Sequence, residues 1–163
     1  MTFRSHSYFI AKSLLFHLHP WRPSTKQTGK GAVGLARGMP VDENSKLIAV
    51  IDDNESMLDS LGDLIESGGF EARCFGSAKA FLESDLYHKA VCLIVDIRMP
   101  KMSGLALQAR LKQEARNVPI IFTTAYDDPE IRDQAMKEGA MEFLVKPFDH
   151  QLLLKILRCA LDG

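Results

Sequence analysis

Five short apolar runs, separated by longer stretches with helical spacing of apolar residues, constrain the fold more than any other feature of this sequence. The runs lie at 47–51, 71–75, 91–95, 118–123 and 141–145. Three of them are almost wholly apolar, which is typical of strands buried on both faces of a parallel sheet. Strands that alternate with helices along the chain build such a sheet. The sequence therefore predicts a doubly wound α/β domain with a five-stranded parallel sheet.

Capping residues mark the helices between these runs. Side chains that accept a hydrogen bond from a free amide at a helix start precede four of the amphipathic stretches, and glycines follow two of them. The predicted N-caps are Asn54, Ser77, Asp128 and Asp149, the predicted ends are Gly68–Gly69 and Gly139, and the third helix is predicted over 104–114. Pro129 suits the first turn of the fourth helix.

Residues 1–44 differ in character from the remainder. They contain six basic residues and no acid before Asp42 and, from Ser24 to Met39, are rich in Gly, Thr and Lys without periodicity. This composition predicts a disordered basic extension ahead of a folded domain at 45–163. A start of translation at Met39 is an open alternative. The folded part is acidic, which argues against direct nucleic-acid binding, because phosphate contacts need a basic face.

The segment "YFIAKSLLFHLH" is interrupted by Lys12 and His17. It is too short for a membrane span, which needs about 20 apolar residues. Cys74, Cys92 and Cys159 are widely spaced in apolar contexts and are predicted to be small core residues in a reducing compartment. We therefore expect a cytoplasmic protein without a membrane span.

Polar residues follow the predicted strands at their carboxyl ends. Asp52–Asp53 end the first strand, Asp96 the third, Thr123–Thr124 the fourth, and Lys146 the fifth. Ligands bind beyond this edge of a doubly wound sheet, so three carboxylates, a hydroxyl and an ammonium are expected to converge there. Carboxylates packed together repel unless a cation lies among them. Mg²⁺ prefers such oxygen ligands and is the predicted metal.

This set of groups suits phosphoryl transfer. Mg²⁺ and Lys146 would neutralise charge on the transferring oxygens, and Thr124 could donate a hydrogen bond to one of them. One carboxylate would then be the nucleophile and would form an acyl phosphate. Thr123 is expected to be a strand residue that faces away from the site.

Four motifs in order along the chain resemble the receiver domain of bacterial two-component response regulators. They are "DD" at 52–53, "DIRMPKMSG" at 96–104, "TTA" at 123–125 and "KPF" at 146–148. The amino-acid sequence of these motifs is most similar to that of receivers that precede a helix-turn-helix output domain. The resemblance covers about 46–161 and implies a flavodoxin-like fold with strand order 2-1-3-4-5.

The resemblance also implies a role for each matching residue. Asp96 corresponds to the phosphoacceptor, and Asp52, Asp53, Asp96 and the main-chain carbonyl of Arg98 to the Mg²⁺ ligands. Thr124 corresponds to the switch hydroxyl, because a small residue follows it.

Three further roles follow from the same resemblance. Lys146 corresponds to the lysine that pairs with phosphoryl oxygens, and its bond to Pro147 is expected to be cis. Phe143 corresponds to the aromatic switch position. Arg98 and Tyr126 occupy positions that tune the loss of phosphate.

The resemblance implies a signalling switch rather than an enzyme. A histidine kinase or phosphotransfer protein would phosphorylate Asp96, and a downstream protein would read the surface of the fourth helix, fifth strand and fifth helix. Because the chain ends at Gly163, soon after the last predicted helix, no output domain is expected. A stand-alone relay and a fragment of a DNA-binding regulator both remain open.

Three alternative functions fit the sequence less closely. One is a receiver-like scaffold that is never phosphorylated. An aspartyl-nucleophile phosphatase would need a second aspartate two residues after Asp96, where Arg98 stands. Flavin binding is disfavoured, because the first turn, "DDNES", is acidic where a flavin phosphate needs free amides.

Overall fold

The computed structural model describes residues 46–161, in which five strands alternate with five helices. The predictions for residues 1–44, including a start at Met39, lie outside this range. The elements are β1 Leu47–Ile51, α1 Glu55–Ser67, β2 Glu71–Phe75, α2 Ala78–Leu82, β3 Cys92–Asp96, α3 Gly104–Gln113, β4 Ile120–Thr124, α4 Pro129–Lys137, β5 Glu142–Val145 and α5 His150–Leu161.

The five strands form one parallel sheet in the order β2-β1-β3-β4-β5. This confirms the predicted doubly wound fold and its strand order. The chain crosses from β1 outward to β2 and then returns past β1 to β3, so the order reverses between β1 and β3. The carboxyl ends of these two strands therefore flank the point where such sheets bind ligands.

Alternation along each strand divides the buried side chains into two cores. One core packs against α2, α3 and α4 and includes Ile51, Val95 and Phe122. The other packs against α1 and α5 and includes Val50 and Ile94. We call the two sides the α3/α4 face and the α1/α5 face of the sheet.

The predicted caps are present. The side chain of Asn54 accepts a hydrogen bond from the amide of Met57 at 3.2 Å, and Ser77 and Asp128 cap α2 and α4 in the same way. Strand limits shift by one or two residues, so that Asp96 is the last residue of β3 rather than the residue after it. The Lys146–Pro147 bond is cis, as expected.

The prediction for the cysteines is wrong at two of three positions. Cys92 is buried in β3, whereas Cys74 and Cys159 are exposed. Cys74 lies in edge strand β2, which has a partner strand on one side only. Cys159 lies near the end of α5. In both cases an apolar sequence context did not reveal the position within the fold.

Within residues 46–161, every helix is too short or too polar to cross a bilayer.

Gly104, the first residue of α3, packs directly beneath the third strand. A Cβ atom at this position would lie 2.6 Å from the main-chain oxygen of Asp96 and 3.0 Å from the ring of Phe122. The start of α3 can approach β3 this closely only because residue 104 lacks a side chain.

Gly104→Ala is therefore expected to lower the free energy of unfolding by about 1–3 kcal/mol, the usual cost of overpacking. Chemical denaturation measures this change. Gly76→Ala is the matched control, because a Cβ at Gly76 meets nothing within 4 Å. Equal stability of the two variants would contradict this account of the packing.

Candidate functional site

Three charged side chains reach the carboxyl edge of the sheet from its central and outer strands. Asp52 follows β1, Asp96 ends β3, and Lys146 follows β5. Alternation places all three on the α1/α5 face, because Val50, Ile94 and Leu144, two residues before them, belong to that core. The fold thus brings together residues that are 50 and 94 positions apart.

Lys146 bridges the two aspartates. Its ammonium donates hydrogen bonds to Asp52 Oδ2 at 2.7 Å and to Asp96 Oδ1 at 2.8 Å. The side chains of Asp52, Asp96 and Lys146 are 3%, 10% and 18% exposed, so water screens these interactions poorly. Two buried carboxylates share one cation, which leaves the cluster with an excess of negative charge.

The second oxygen of each carboxylate is held by the main chain. Asp52 Oδ1 accepts a hydrogen bond from the amide of Asn54 at 2.9 Å. Asp96 Oδ2 accepts one from the amide of Arg98 at 2.7 Å. In each case the donor lies two residues after the aspartate, in the turn that leaves the strand. Both carboxylates are therefore fixed at both oxygens.

Burial and the neighbouring charges shift two pKa values. The pKa of Asp96 is raised, because burial and the nearby Asp52 together outweigh the hydrogen bonds from Lys146 and the Arg98 amide. Burial alone would lower the pKa of Lys146, but the hydrogen bonds to Asp52 and Asp96 outweigh it and raise that pKa. Lys146 is thus held as a cation beside a carboxylate that is costly to ionise.

The expected convergence of three carboxylates is only partly observed. Asp53 is exposed, whereas Asp52 and Asp96 are buried. Within 46–161, no group of three or more Asp, Glu, His or Cys side chains is placed to hold a metal ion. The Mg²⁺ ligand set proposed from the sequence therefore stays a prediction.

The two threonines of β4 face opposite sides of the sheet. Thr123 pairs in register with Asp96 and by alternation shares the α1/α5 face with it, because Ile121 belongs to that core. The expectation that Thr123 faces away from the charged cluster is therefore wrong. Its Oγ1 is buried, and no hydrogen-bond partner for it is found in the described part of the chain.

Thr124, on the α3/α4 face, is 2% exposed. Its hydroxyl oxygen accepts a hydrogen bond from the amide of Tyr126 at 3.2 Å. The hydroxyl hydrogen is not used in that bond. Its role as a switch hydroxyl remains a prediction.

Arg98 and Tyr126 form a contact at the rim of the site. The Arg98 guanidinium carbon lies 4.5 Å from the centroid of the Tyr126 ring, a cation–π distance. Tyr126 is nevertheless 60% exposed. The sequence located both residues near the site, but the contact between them joins two separate loops and could not be predicted.

Phe143, in β5, is 6% exposed and belongs to the α3/α4 core. Arg132 of α4 covers its ring, with the guanidinium carbon 5.2 Å from the ring centroid. Arg132 was not predicted to take part in any site. Nothing in its local sequence pattern indicates that it faces β5.

The sheet order and the Asp–Lys–Asp cluster at its carboxyl edge define the receiver class of signalling domains. The chain belongs to the response regulator receiver domain family of two-component systems, whose pattern matches residues 48–158.

Among curated relatives, the response regulator protein TodT of Pseudomonas putida is 38% identical over 121 residues, 74% of this chain and 53% of TodT. The transcriptional regulatory protein TdiR of Thauera aromatica is 42% identical over 118 residues, 72% of this chain and 52% of TdiR. The crystal structure of FixJ-N is similar with a TM-score of 0.64 and 31% identity, over 72% of this chain and 94% of FixJ-N. The chain spans about half the length of the curated relatives it matches.

Replacing Thr123 tests the unpaired hydroxyl. Thr123→Val keeps the shape of the side chain and removes a buried polar group without a partner, so the free energy of unfolding should rise by about 1 kcal/mol. Thr124→Val is the matched control, because it removes a hydroxyl that accepts a hydrogen bond, and it should be destabilising. Chemical denaturation of both variants measures the difference. A loss of stability in Thr123→Val would show that its hydroxyl has a partner.

The raised pKa of Asp96 predicts how stability depends on pH. In the folded state the Asp96 carboxyl group keeps its proton at pH values above its usual pKa of 3.8. Its stabilising contribution is therefore complete below pH 3.8 and is lost as pH rises through the pKa that Asp96 has in the folded state. The free energy of unfolding of the wild type minus that of Asp96→Asn should therefore fall as pH rises from 3.8 toward neutrality. Denaturation across this range measures it, with exposed Asp85→Asn as control. A difference that rises with pH would contradict the direction of the shift.

Proposed function

We propose that this chain is a phosphoacceptor receiver, in which Asp96 takes a phosphoryl group from a partner histidine kinase or phosphotransfer protein. The observation that carries the proposal is the Lys146 ammonium, which lies 2.8 Å from Asp96 Oδ1 and 2.7 Å from Asp52 Oδ2 at the switch point of the sheet. A fixed carboxylate beside a fixed cation is suited to attack on phosphorus, because the cation compensates charge on the phosphoryl oxygens.

The proposed reaction is a direct displacement. An oxygen of Asp96 forms a bond to phosphorus while the phosphorus–nitrogen bond of phosphohistidine breaks, and the electron pair of that bond returns to the imidazole of the partner. Lys146 pairs with a phosphoryl oxygen. The free hydrogen of the Thr124 hydroxyl donates to another once the carboxyl end of β4 moves toward Asp96.

The chemistry of these residues suits a magnesium ion. One oxygen each of Asp52 and Asp96 already contacts a cation, the Lys146 ammonium, and carboxylate and carbonyl oxygens are the ligands that magnesium prefers. Asp52, Asp53, Asp96 and the main-chain carbonyl of Arg98 would hold it. When bound, it would neutralise negative charge on the phosphoryl oxygens.

The proposed output surface comprises α4, β5 and α5. Exposed Met136, Met141 and Leu152 belong to these elements or to the turn between them. A groove of about 300 Å³ is lined by Met141, Leu152 and Ile156 among others. Exposed apolar groups of this kind are typical of protein contact sites. We propose that a downstream protein contacts this surface and that Thr124 and Phe143 connect it to Asp96.

An aspartyl phosphatase is the less favoured function. Such an enzyme needs a proton donor beside the nucleophile. The side chain two residues after Asp96 is Arg98, which contacts the Tyr126 ring instead. The acyl phosphate on Asp96 is therefore proposed to be the signal rather than an intermediate that the protein itself hydrolyses quickly.

Incubation with Mg²⁺ and the small phosphodonor acetyl phosphate tests the proposal. Wild-type protein should gain one phosphoryl group that is stable in acid and is released by base or hydroxylamine, as an acyl phosphate is. Asp96→Asn removes the nucleophile and should not be labelled. Mass spectrometry of intact protein measures both.

Asp85→Asn is the matched control, since it removes an exposed aspartate outside the cluster. It should be labelled like the wild type. Label that persists in Asp96→Asn, or its absence from wild type with acetyl phosphate and a panel of histidine kinases alike, would refute the proposal. Unchanged binding of a downstream protein by Asp96→Asn and by labelled wild type would instead favour the scaffold alternative.

A further inference from the structure

Arg132 connects three parts of the α3/α4 face. It lies in the first turns of α4, its guanidinium carbon is 5.2 Å from the centroid of the Phe143 ring in β5, and one terminal nitrogen donates a hydrogen bond to Asp127 Oδ1 at 2.6 Å. Asp127 belongs to the loop between β4 and α4. A single side chain thus joins this loop, the helix and the fifth strand.

The burial within the Arg132 side chain shows how the contact is made. The side chain as a whole is 41% exposed, yet its Nε atom is buried and has no hydrogen-bond partner in the described residues. The central carbon of the guanidinium lies 5.2 Å from the centroid of the Phe143 ring, so the buried part of the group is in contact with the core. The outer nitrogen meanwhile reaches Asp127. The guanidinium therefore has an inner edge against Phe143 and an outer edge held by an anion.

The position of Phe143 shows what this contact can control. The ring is 6% exposed and packs in the α3/α4 core beneath Arg132. Because the guanidinium lies over the ring, Phe143 can turn toward solvent only if it gives up the contact with Arg132. The contact therefore stabilises the buried position of the ring, whatever the state of Asp96.

We propose that Arg132 is a positioning residue for Phe143, which holds the ring in its buried position before phosphorylation through a cation–π contact fixed by Asp127. This inference rests on the proposed function only in treating Phe143 as the switch residue. α4 and β5 belong to the proposed output surface. Arg132 therefore also sets the fraction of unphosphorylated molecules in which this surface has the Phe143 ring buried.

The test follows the ring directly in unphosphorylated protein. Protein labelled with 4-fluorophenylalanine is studied by ¹⁹F nuclear magnetic resonance, with the Phe143 signal assigned by its loss in Phe143→Leu. The shift of that signal between H₂O and D₂O reports exposure of the ring. In Arg132→Ala the ratio of buried to exposed ring should fall about fivefold, the scale of a partly buried cation–π contact.

Further variants separate the cation from its anchor. Asp127→Asn keeps the cation but weakens its fixation, so it should give a smaller change in the same direction. Arg132→Lys should restore part of the buried population. Lys137→Ala is the matched control, because it removes an exposed cation from the same helix. It should leave the Phe143 signal unchanged.

A phosphoryl analogue provides the second readout. Beryllofluoride with Mg²⁺ should move the Phe143 signal little in wild type, because Arg132 already favours the buried ring. In Arg132→Ala it should return the exposed population toward the buried one. A purely structural role of Arg132 would not produce this recovery.

Two results would overturn the inference. One is a Phe143 signal in Arg132→Ala with the position and solvent effect of wild type; the other is an equal change in Lys137→Ala. If Arg132→Ala does not fold by circular dichroism, Asp127→Asn and Arg132→Lys decide, and an unchanged ring in both overturns it. The ring measurement needs no phosphodonor, so failure of Asp96 to accept phosphate is a separate result.

Discussion

The pairing of one lysine with two aspartates is the interaction on which the rest of this structure depends. Lys146 holds Asp52 and Asp96 at 2.7 and 2.8 Å in a largely buried setting. Removal of either partner from a buried ion pair leaves an uncompensated charge, which is strongly destabilising. The carboxyl ends of β1, β3 and β5 must therefore lie at the same edge of the sheet. The parallel sheet, in which the strand order reverses between β1 and β3, provides this arrangement.

The charged cluster and the buried ring of Phe143 lie on opposite faces of the sheet. Asp52, Asp96 and Lys146 follow the alternation of the α1/α5 face, whereas Thr124 and Phe143 follow that of the α3/α4 face. Under the proposed function, a signal from Asp96 to Phe143 has to pass from one face to the other. It can do so at the carboxyl end of β4, where Thr123 is in register with Asp96 and Thr124 is its chain neighbour. Arg132 contacts the ring of Phe143 at the far end of this proposed route.

The fold and the central part of the site could be predicted from the sequence because both depend on local patterns. Apolar runs fix the strands, and the residues that follow those runs must meet at one edge, which located Asp52, Asp96 and Lys146. Properties that depend on the direction of a side chain were harder to predict from the sequence. Thr123 was assigned to the wrong side, because Thr124 was taken as the hydroxyl directed at the site and neighbouring strand residues face opposite sides.

Contacts between loops and helices that are distant in the sequence could not be predicted from it. The contact of Arg98 with Tyr126 and that of Arg132 with Phe143 each join elements whose relative positions are set by packing. The cysteines show the same difficulty, since Cys92 lies in a central strand and is buried, whereas Cys74 lies in an edge strand and is exposed.

The close approach of Gly104 to the main chain of Asp96 has a consequence for how such chains are recognised. A sequence with every charged and hydroxyl residue of the site intact, but with a larger residue at 104, would still contain the acidic pair, the central aspartate, the threonine and the lysine. The main chain at residue 96 or at residue 104 would nevertheless have to shift, because the added carbon would meet the Asp96 carbonyl oxygen at 2.6 Å. An inventory of charged and hydroxyl side chains is therefore not a sufficient criterion for this site geometry, because the close approach of α3 to β3 also requires a residue without a side chain at position 104.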